Sequence, residues 1–196
     1  QSSSSSSSGN FSQTWQKVAK RTEAQKTAGL SGGEGWQMIF DIQYAPSNPN
    51  IAYFITDTSQ VWKTTNANDT NPVWNRKANG FLANGGLSLA VDPTNENIVY
   101  VAGTDNTAQN VEDLIPVEGI FRTTDGGDTW TLVTSYSYTT QATQAHFHRS
   151  AAGGNHITFA GTTLYAAPTT VGLLKSTNGT TWTRLAKSGV GYVLDT

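Results

Sequence analysis

The sequence predicts an all-β fold made of repeated four-stranded units, and three observations carry this prediction. Short runs of alternating apolar and polar residues recur along the 196 residues, which is the pattern of half-buried strands. Turns rich in Asp, Asn and Gly separate the runs. Trp15, Trp74, Trp130 and Trp182 follow such turns at steps of 59, 56 and 52 residues. A repeat of this length with several short strands is typical of the blades of a β-propeller.

The clearest turn is Thr123–Trp130, which reads Thr-Thr-Asp-Gly-Gly-Asp-Thr-Trp. Gly126 and Gly127 are expected to adopt positive φ, and Asp125 is expected to accept hydrogen bonds from amides of the turn. Trp130, at the start of the outgoing strand, is predicted to be a buried anchor.

Weaker copies of this turn lie elsewhere in the chain. Ser176–Trp182 is one residue shorter and has Asn178 in the place of Asp125, and Thr64–Thr70 reaches Trp74 after a three-residue insertion. A second element repeats in phase, since Ala45–Tyr53 matches Val91–Tyr100. The residues predicted to have a structural role in the two clearest turns are Thr123, Asp125, Gly127, Thr129, Trp130, Ser176, Asn178, Gly179 and Trp182.

The pattern divides residues 10–196 into about three complete blades at 37–78, 86–134 and 154–186. An unfinished blade is predicted from 10–18 and 190–196, so the chain is expected to be a fragment of a larger ring or a unit completed by association. Residues 1–9 form a serine tract that is expected to be a disordered tail. In the first inner strand, Met38, Phe40 and Ile42 are expected to share one face and Asp41 the other.

The repeated turn resembles the Asp-box, or BNR repeat, a hairpin of sialidases, sortilin-type receptors and several glycosidase propellers. Four segments also resemble the N-terminal region of glycoside hydrolase family 74, whose xyloglucanases are built from two seven-bladed propellers. These segments are Thr14–Val18, Gly32–Trp36, Ile51–Asp57 and Val61–Trp62. The repeat-level resemblance covers nearly the whole chain, and the family-level resemblance covers about the first hundred residues.

The resemblance implies that Asp57 is one of the family's two catalytic carboxylates, acting as general base. An inverting glycosidase needs its acid and base about 6.5–9.5 Å apart to admit a water. The family pattern continues with Gly-Gly and Tyr-Arg-Trp, whereas Thr58–Trp62 reads Thr-Ser-Gln-Val-Trp here. The alternative is that Asp57 is a polar turn residue. The family's second carboxylate lies in the other propeller, so hydrolysis is expected to need the rest of that architecture.

Three aromatic residues, Trp36, Trp62 and Phe81, are candidate platforms for sugar rings, because apolar sugar faces stack on aromatic side chains. Trp36 lies in a glycine-rich connection and is the better ligand candidate. Trp62 lies in a predicted strand, where a core position is the alternative interpretation.

Composition excludes several functions. Charged residues make up 13% of the chain, the net charge is −2 and no basic patch favours nucleic acid. Cysteine is absent, no apolar run approaches the ~20 residues of a membrane span, and no cofactor motif is present. His146 and His148 would share one face of a strand, but a metal site needs a third ligand, and no metal is predicted. The abundance of Ser, Thr, Asn and Gly is common in exported β proteins, so we expect an extracellular or cell-surface location.

Two functional hypotheses follow. The first is an extracellular carbohydrate-active propeller that resembles the N-terminal part of a hydrolase of xyloglucan or other β-1,4-glucans, with a polysaccharide as its ligand. The alternative is a non-catalytic propeller for binding, adhesion or assembly, which self-associates or pairs with a partner chain that completes its open blade. Receptor and photosystem-assembly propellers share the box and form a third, weaker possibility.

Overall fold

The computed structural model describes residues 39–56, 61–83, 85–104, 119–135, 156–168 and 172–185, together with Thr27. Within these ranges the chain forms three four-stranded antiparallel sheets, each with its strands in sequence order. Such a meander is the construction of a propeller blade. The predicted fold class is therefore confirmed. The predicted tail at 1–9 and the predicted strands at 10–18 and 190–196 lie outside the described residues.

Each blade contributes four strands, numbered in chain order. Blade one consists of β1 (Ile39–Ala45), β2 (Asn48–Thr56), β3 (Val61–Thr64) and β4 (Asn75–Arg76). Blade two consists of β5 (Gly85–Asp92), β6 (Asn95–Thr104), β7 (Gly119–Thr123) and β8 (Thr131–Ser135). Blade three consists of β9 (His156–Ala160), β10 (Thr163–Ala167), β11 (Leu174–Ser176) and β12 (Thr183–Arg184).

The meander gives every blade two distinct ends. We call one the turn end, because two kinds of connection lie there. These are the tight turns that join the first two strands of each blade, and the connections at 65–74, 124–130 and 177–182, which join the last two strands. The opposite end, which we call the loop end, carries the connections that follow β2, β6 and β10. Thr56 and Val61 lie at the loop end of blade one. Side chains at the two ends are therefore separated by the length of the blade.

Blades one and two share an apolar core because alternate side chains of their strands face each other. Tyr53 and Ile55 of β2 are fully buried against blade two. A Cβ on Gly86 would lie 2.4 Å from Ile55 Cγ1, so the close approach of β5 to β2 requires a residue without a side chain. The buried members of this core are Ala45, Ile51, Tyr53, Ile55, Val61, Phe81, Ala83, Leu89, Val91, Val99, Val101, Phe121 and Trp130.

The other face of blade two packs against blade three in the same way. Val99 and Val101 of β6 point towards blade one, whereas Tyr100 and Ala102 point towards blade three. The buried members of this second core are Ala90, Tyr100, Ala102, Ile120, Ile157, Leu164, Ala166 and Leu174. Blade two is thus buried on both faces.

One expectation for β1 is wrong. Phe40 packs towards blade two, whereas Ile42 lies on the opposite face of blade one and is 47% exposed. The pairing of β1 with β2 shifts register between Ile39 and Asp41. Such a shift interrupts the alternation of faces that the sequence prediction assumed.

Candidate functional site

Side chains hold the turn between β7 and β8. Thr123 Oγ1 accepts the amide hydrogen of Gly127 at 2.9 Å and donates its own to Asp125 Oδ1 at 2.7 Å. The same Oδ1 accepts the amide of Thr129 at 2.9 Å, and Oδ2 accepts the Thr129 hydroxyl at 2.6 Å. Gly126 and Gly127 have φ of +73° and +96°. The Asp125 carboxylate is therefore occupied by the turn itself.

The pKa of Asp125 reflects this bonding. Burial raises the pKa of the carboxyl, but the hydrogen bonds from Thr129 and Thr123 outweigh it and lower the pKa from 3.8 to about 2. The group is ionised at neutral pH and acts as a fixed acceptor, which is a poor basis for acid–base chemistry.

The other two blades repeat the same bonding. In blade one, Asn66 Oδ1 accepts the Thr64 hydroxyl at 2.8 Å and the amide of Val73 at 2.9 Å. In blade three, Asn178 Oδ1 accepts the amide of Thr181 at 2.8 Å, and the amide of Gly179 donates to Ser176 Oγ at 2.8 Å. Asparagine thus replaces aspartate in these two turns, and its side-chain oxygen still accepts the backbone amide hydrogen.

The tryptophans that follow the turns differ in their anchoring. Trp130 is 5% exposed, and its Nε1 donates to the carbonyl of Lys77 at 2.7 Å. Its backbone amide donates to the carbonyl of Asn79 at 2.9 Å. Trp182 is half-buried, and its Nε1 is buried with no hydrogen-bond partner among the described residues. Trp130 therefore fastens blade two to the connection from blade one, whereas Trp182 packs without such a bond.

The predicted catalytic residue Asp57 and the predicted platform Trp36 lie outside the described residues. Asp57 directly follows the end of β2 in the sequence. Thr56 and Val61, which border the connection that contains it, are both fully buried. The connection thus leaves blade one from two firmly packed strand ends at the loop end.

Trp62 belongs to an aromatic layer on the outer face of blade one. Its ring stacks on Phe54 with centroids 6.0 Å apart, and Phe54 contacts Trp74 at 4.7 Å. Tyr44 and Ile42 extend this layer and are 53% and 47% exposed. A groove of about 350 Å³ runs along it, lined also by Asp69, Thr70 and Pro72.

Phe81 is buried, in contrast to its prediction as a platform. It is 6% exposed and makes edge contacts with Phe121 at 4.8 Å and with Trp130 at 5.9 Å. Its place in the core between blades one and two prevents contact with a ligand.

The sequence reasoning missed two sets of polar contacts between blades. Asp41 Oδ2 accepts the amide hydrogen of Leu89 at 2.9 Å and the Ser88 hydroxyl at 3.2 Å. Tyr53 donates to the carbonyl of Glu96 at 2.8 Å, and burial raises its pKa, as do the nearby carboxylates. Burial lowers the pKa of Lys63, the cation beside Tyr53. The in-phase repeat of Ala45–Tyr53 and Val91–Tyr100, which ends on a tyrosine in both copies, was a signal for the second set, whereas no repeated segment contains Asp41 or its partners.

In the part of the chain that the structure describes, no group of three or more His, Asp or Glu side chains could hold a metal ion. No helix within the described ranges is long and apolar enough to span a membrane.

Comparison with solved structures agrees with the architecture. The xyloglucanase of glycoside hydrolase family 74 from Xanthomonas campestris is similar at 18% identity and a TM-score of 0.54, over 76% of this chain and 21% of that protein. An ancestral enzyme of the same family is similar at 20% identity and a TM-score of 0.51, over 77% of this chain and 19% of the enzyme. YCF48 from Cyanidioschyzon merolae is similar at 19% identity and a TM-score of 0.46, over 74% of this chain and 36% of that protein.

The first two similarities show that the chain has the β-propeller fold. The chain spans about a fifth of the length of these two enzymes. No protein-family model matches the sequence. No curated protein matches it either.

Proposed function

We propose that the chain is a carbohydrate-active propeller unit that binds a β-1,4-glucan such as xyloglucan at the loop end of its blades. The polar turns at the other end are Asp-boxes in this proposal, and their role is structural. An extracellular or cell-surface location is part of the same proposal, because polymeric glucans of this kind are met outside the cell.

The observation that carries the proposal is the separation of the two ends. In each of the three turns at the turn end, a side-chain carboxylate or carboxamide oxygen accepts a backbone amide hydrogen of the same turn. The connection that contains Asp57 begins after Thr56, at the opposite end. Asp57, the residue that resembles a catalytic base, directly follows Thr56 in the sequence, so we assign the proposed ligand site to the end of the blade at which β2 ends.

In this proposal Asp57 acts as a general base. Its carboxylate accepts a proton from the water that attacks the anomeric carbon, while a second carboxyl protonates the departing glycosidic oxygen. The family resemblance places that second carboxyl in another propeller. We therefore expect this chain alone to bind glucan without hydrolysing it. Trp36 and Trp62 are the predicted aromatic platforms for sugar rings in this proposal.

Affinity electrophoresis tests the binding. Migration of the chain through a gel that contains xyloglucan is expected to be retarded, and migration through a gel that contains pullulan, an α-glucan, is not. Trp36→Ala should weaken xyloglucan binding roughly tenfold, because one stacking contact is lost. Asp128→Ala is the control, since Asp128 is exposed and lies in the 124–130 connection at the turn end. Equal migration in both gels would contradict the proposal.

Turnover tests the role of Asp57. Where the acid carboxyl is supplied, by the same polypeptide or by a partner chain, Asp57→Asn should lower xyloglucan turnover by at least about a hundredfold. Asp128→Asn is the control, because Asp128 is an exposed carboxylate at the turn end that pairs with Lys77. Unchanged turnover in Asp57→Asn would remove Asp57 from the mechanism.

A further inference from the structure

Three asparagines of the chain are followed directly by glycine: Asn79, Asn84 and Asn178. Asparagine is a thermally labile residue, and a following glycine makes it more so, because glycine has no side chain that would shield its own amide nitrogen. Asn84 lies outside the described residues. The structure therefore shows the same labile dipeptide in two different surroundings, at 79–80 and at 178–179.

Loss of ammonia from such a pair is an intramolecular acyl transfer. The glycine amide gives up its proton to water or hydroxide, and its nitrogen attacks Cγ of the asparagine. The bond from Cγ to Nδ2 then breaks, and Nδ2 takes up a proton and leaves as ammonia. Water opens the resulting cyclic imide at either carbonyl, which yields aspartate or isoaspartate. The reaction is therefore fastest where the glycine amide is accessible to water and donates no hydrogen bond.

The turn of blade three occupies the groups of Asn178 that would react. The Gly179 amide is buried and donates to Ser176 Oγ at 2.8 Å. Asn178 Nδ2 donates to Thr181 Oγ1 at 3.3 Å, and Oδ1 accepts the Thr181 amide at 2.8 Å. Tyr100 covers the glycine, since a Cβ on Gly179 would overlap the tyrosine hydroxyl. Ring closure at Asn178 must break these bonds first.

The corresponding groups of the Asn79 pair are accessible. Asn79 and Gly80 are both exposed. Among the described residues, neither the Gly80 amide nor Asn79 Oδ1 has a hydrogen-bond partner. Asn79 Nδ2 makes one long bond, to the carbonyl of Asp128 at 3.4 Å. Water can therefore reach the amide that must lose its proton.

Few bonds restrain the main chain around the Asn79 pair. The Phe81 amide donates to the Ala78 carbonyl at 3.2 Å, and the Asn79 carbonyl accepts the Trp130 amide at 2.9 Å. Neither bond involves the amide that attacks. Local opening of an exposed turn costs far less free energy than unfolding of the strands around it. The pair can thus close the ring while the blades stay folded.

The isoaspartate product would change the contact between blades one and two. In isoaspartate the main chain runs through Cβ and Cγ and is longer by a carbon atom, and the former Asn79 carbonyl becomes a free carboxylate. Gly80 lies against the backbone of Trp130, because a Cβ on Gly80 would lie 2.5 Å from the Trp130 carbonyl oxygen. A longer main chain cannot keep both this close approach and the bond from the Trp130 amide.

We propose that Asn79 is a modification site, at which spontaneous deamidation weakens the anchor of Trp130 between blades one and two. The turn of blade three protects Asn178 from the same reaction. The proposal goes beyond glucan binding, because the reaction needs only water and takes place without a ligand.

Incubation of the full chain at mildly alkaline pH, below its unfolding temperature, tests the proposal. Proteolysis and tandem mass spectrometry at successive times locate each asparagine that has become an acid. In the folded chain Asn79 should deamidate at least roughly tenfold faster than Asn178. In guanidinium chloride, which unfolds the chain, the two rates should become similar, because the dipeptides are identical.

Three results would overturn the proposal. In the folded chain, Asn178 could react as fast as Asn79, or Asn79 could stay intact. The difference between the two rates could also persist undiminished in guanidinium chloride, in which case the neighbouring sequence, and not the fold, would be its cause.

Ser176→Ala tests the protection of Asn178. The variant removes the acceptor of the Gly179 amide, so it should raise the rate at Asn178 several-fold and leave the rate at Asn79 unchanged. Thr177→Ala is the matched control, since Thr177 is exposed in the same turn and its side chain makes no bond among the described residues. Circular dichroism verifies that both variants are folded. An unchanged rate at Asn178 in Ser176→Ala would contradict the assigned protection.

Asn79→Gln tests the effect on the anchor, because the longer side chain closes a ring far less readily and the main-chain carbonyl is kept. After equal incubation, hydrogen exchange at the Trp130 amide should be faster in the wild-type chain and unchanged in Asn79→Gln. Asn84 is present in both chains, so the difference reports on Asn79 alone. If the Trp130 amide of the fully deamidated wild-type chain exchanges as slowly as before, the proposed effect on the anchor is wrong.

Discussion

At the scale of single residues, one carboxylate organises the best-formed turn. Asp125 accepts two hydroxyls and one amide through its two oxygens. Asn178 accepts the corresponding amide in blade three through its single carbonyl oxygen. The comparison separates the role of the acceptor geometry, which both residues provide, from the role of the charge, which only Asp125 provides.

The negative charge of Asp125 should contribute less to stability than the hydrogen bond that its side-chain oxygen accepts from the Thr129 amide. Asp125→Ala is expected to lower the free energy of unfolding by about 1–2 kcal/mol, because the Thr129 amide loses its partner to solvent. Asp125→Asn should cost less than about 1 kcal/mol, since it reproduces the arrangement at Asn178. Urea unfolding at neutral pH measures both. Equal costs for the two variants would show that the charge is the dominant factor.

The difference in stability between the wild-type chain and Asp125→Asn should depend on pH. The folded-state pKa of Asp125 is lowered from 3.8 to about 2, so its contribution is present above the unfolded-state pKa and is lost as the pH falls towards about 2. The stability difference between wild type and Asp125→Asn should therefore shrink between pH values of about 4 and 2. A difference that is constant over this interval would contradict the assigned hydrogen bonds.

The tryptophans after the turns should differ in their effect on stability. Trp130→Ala is expected to cost about 3–5 kcal/mol, because it removes a buried side chain and the bond to the Lys77 carbonyl. Trp182→Ala should cost clearly less, since Trp182 is half-buried and its indole nitrogen makes no bond among the described residues. Thermal unfolding of the two variants measures the difference. A larger loss for Trp182→Ala would show that the anchoring is assigned to the wrong blade.

At the scale of elements, the contacts between inner strands keep the blades in register. Ser88 is 4% exposed and bonds both to Asp41 and to the backbone of Ile157. One buried hydroxyl thereby connects three blades. Because it serves two neighbours at once, its loss should be felt at both blade boundaries.

Ser88→Ala is expected to lower the free energy of unfolding by about 1–3 kcal/mol, because the buried amide of Ile157 is left without an acceptor. Hydrogen exchange at this amide should accelerate more than at amides within β6. Ser47→Ala is the control, since the Ser47 hydroxyl bonds to Glu96 at an exposed position. If both serine variants exchange alike at Ile157, the connection through Ser88 is not established in solution.

The blades could be predicted from the sequence because their signals are local. The alternation of side chains and the turn at Thr123–Trp130 depend on neighbours within a few residues. The face assignment in β1 failed because a register shift beside Asp41 is a property of the pairing between two strands. The bond from Leu89 to Asp41 joins residues 48 positions apart, and only the stacking of blades brings them together.

The residues of the candidate site were harder to predict from local sequence signals than the blades were. Phe81 was predicted as a platform because an aromatic residue in a connection has no local signal of burial, whereas contacts with Phe121 and Trp130 bury it. Trp62 lies with Phe54 in the aromatic layer on the outer face of blade one, so its role as a sugar platform stays a prediction. The role of Asp57 rests on the family resemblance and that of Trp36 on its place in a glycine-rich connection, and both likewise stay predictions.

At the scale of the whole molecule, the blades assign different chemistry to different surfaces. A side-chain oxygen in each of the three turns accepts a backbone amide of the same turn, and the faces between blades have the residues that join blade to blade. The proposed function assigns the ligand to the loop end. This division is the central claim of the proposed function. It predicts that binding of glucan affects one end of the blades only.

Nuclear magnetic resonance of the amide-labelled chain, titrated with xyloglucan oligosaccharide, tests this claim most directly. The account predicts shifts at the loop end, at Thr56 and Val61 and in the connection between them. The turn glycines Gly126 and Gly179, at the other end of the blades, should keep their positions. Shifts centred on these glycines with Thr56 and Val61 unaffected, or no shifts at all, would contradict the account.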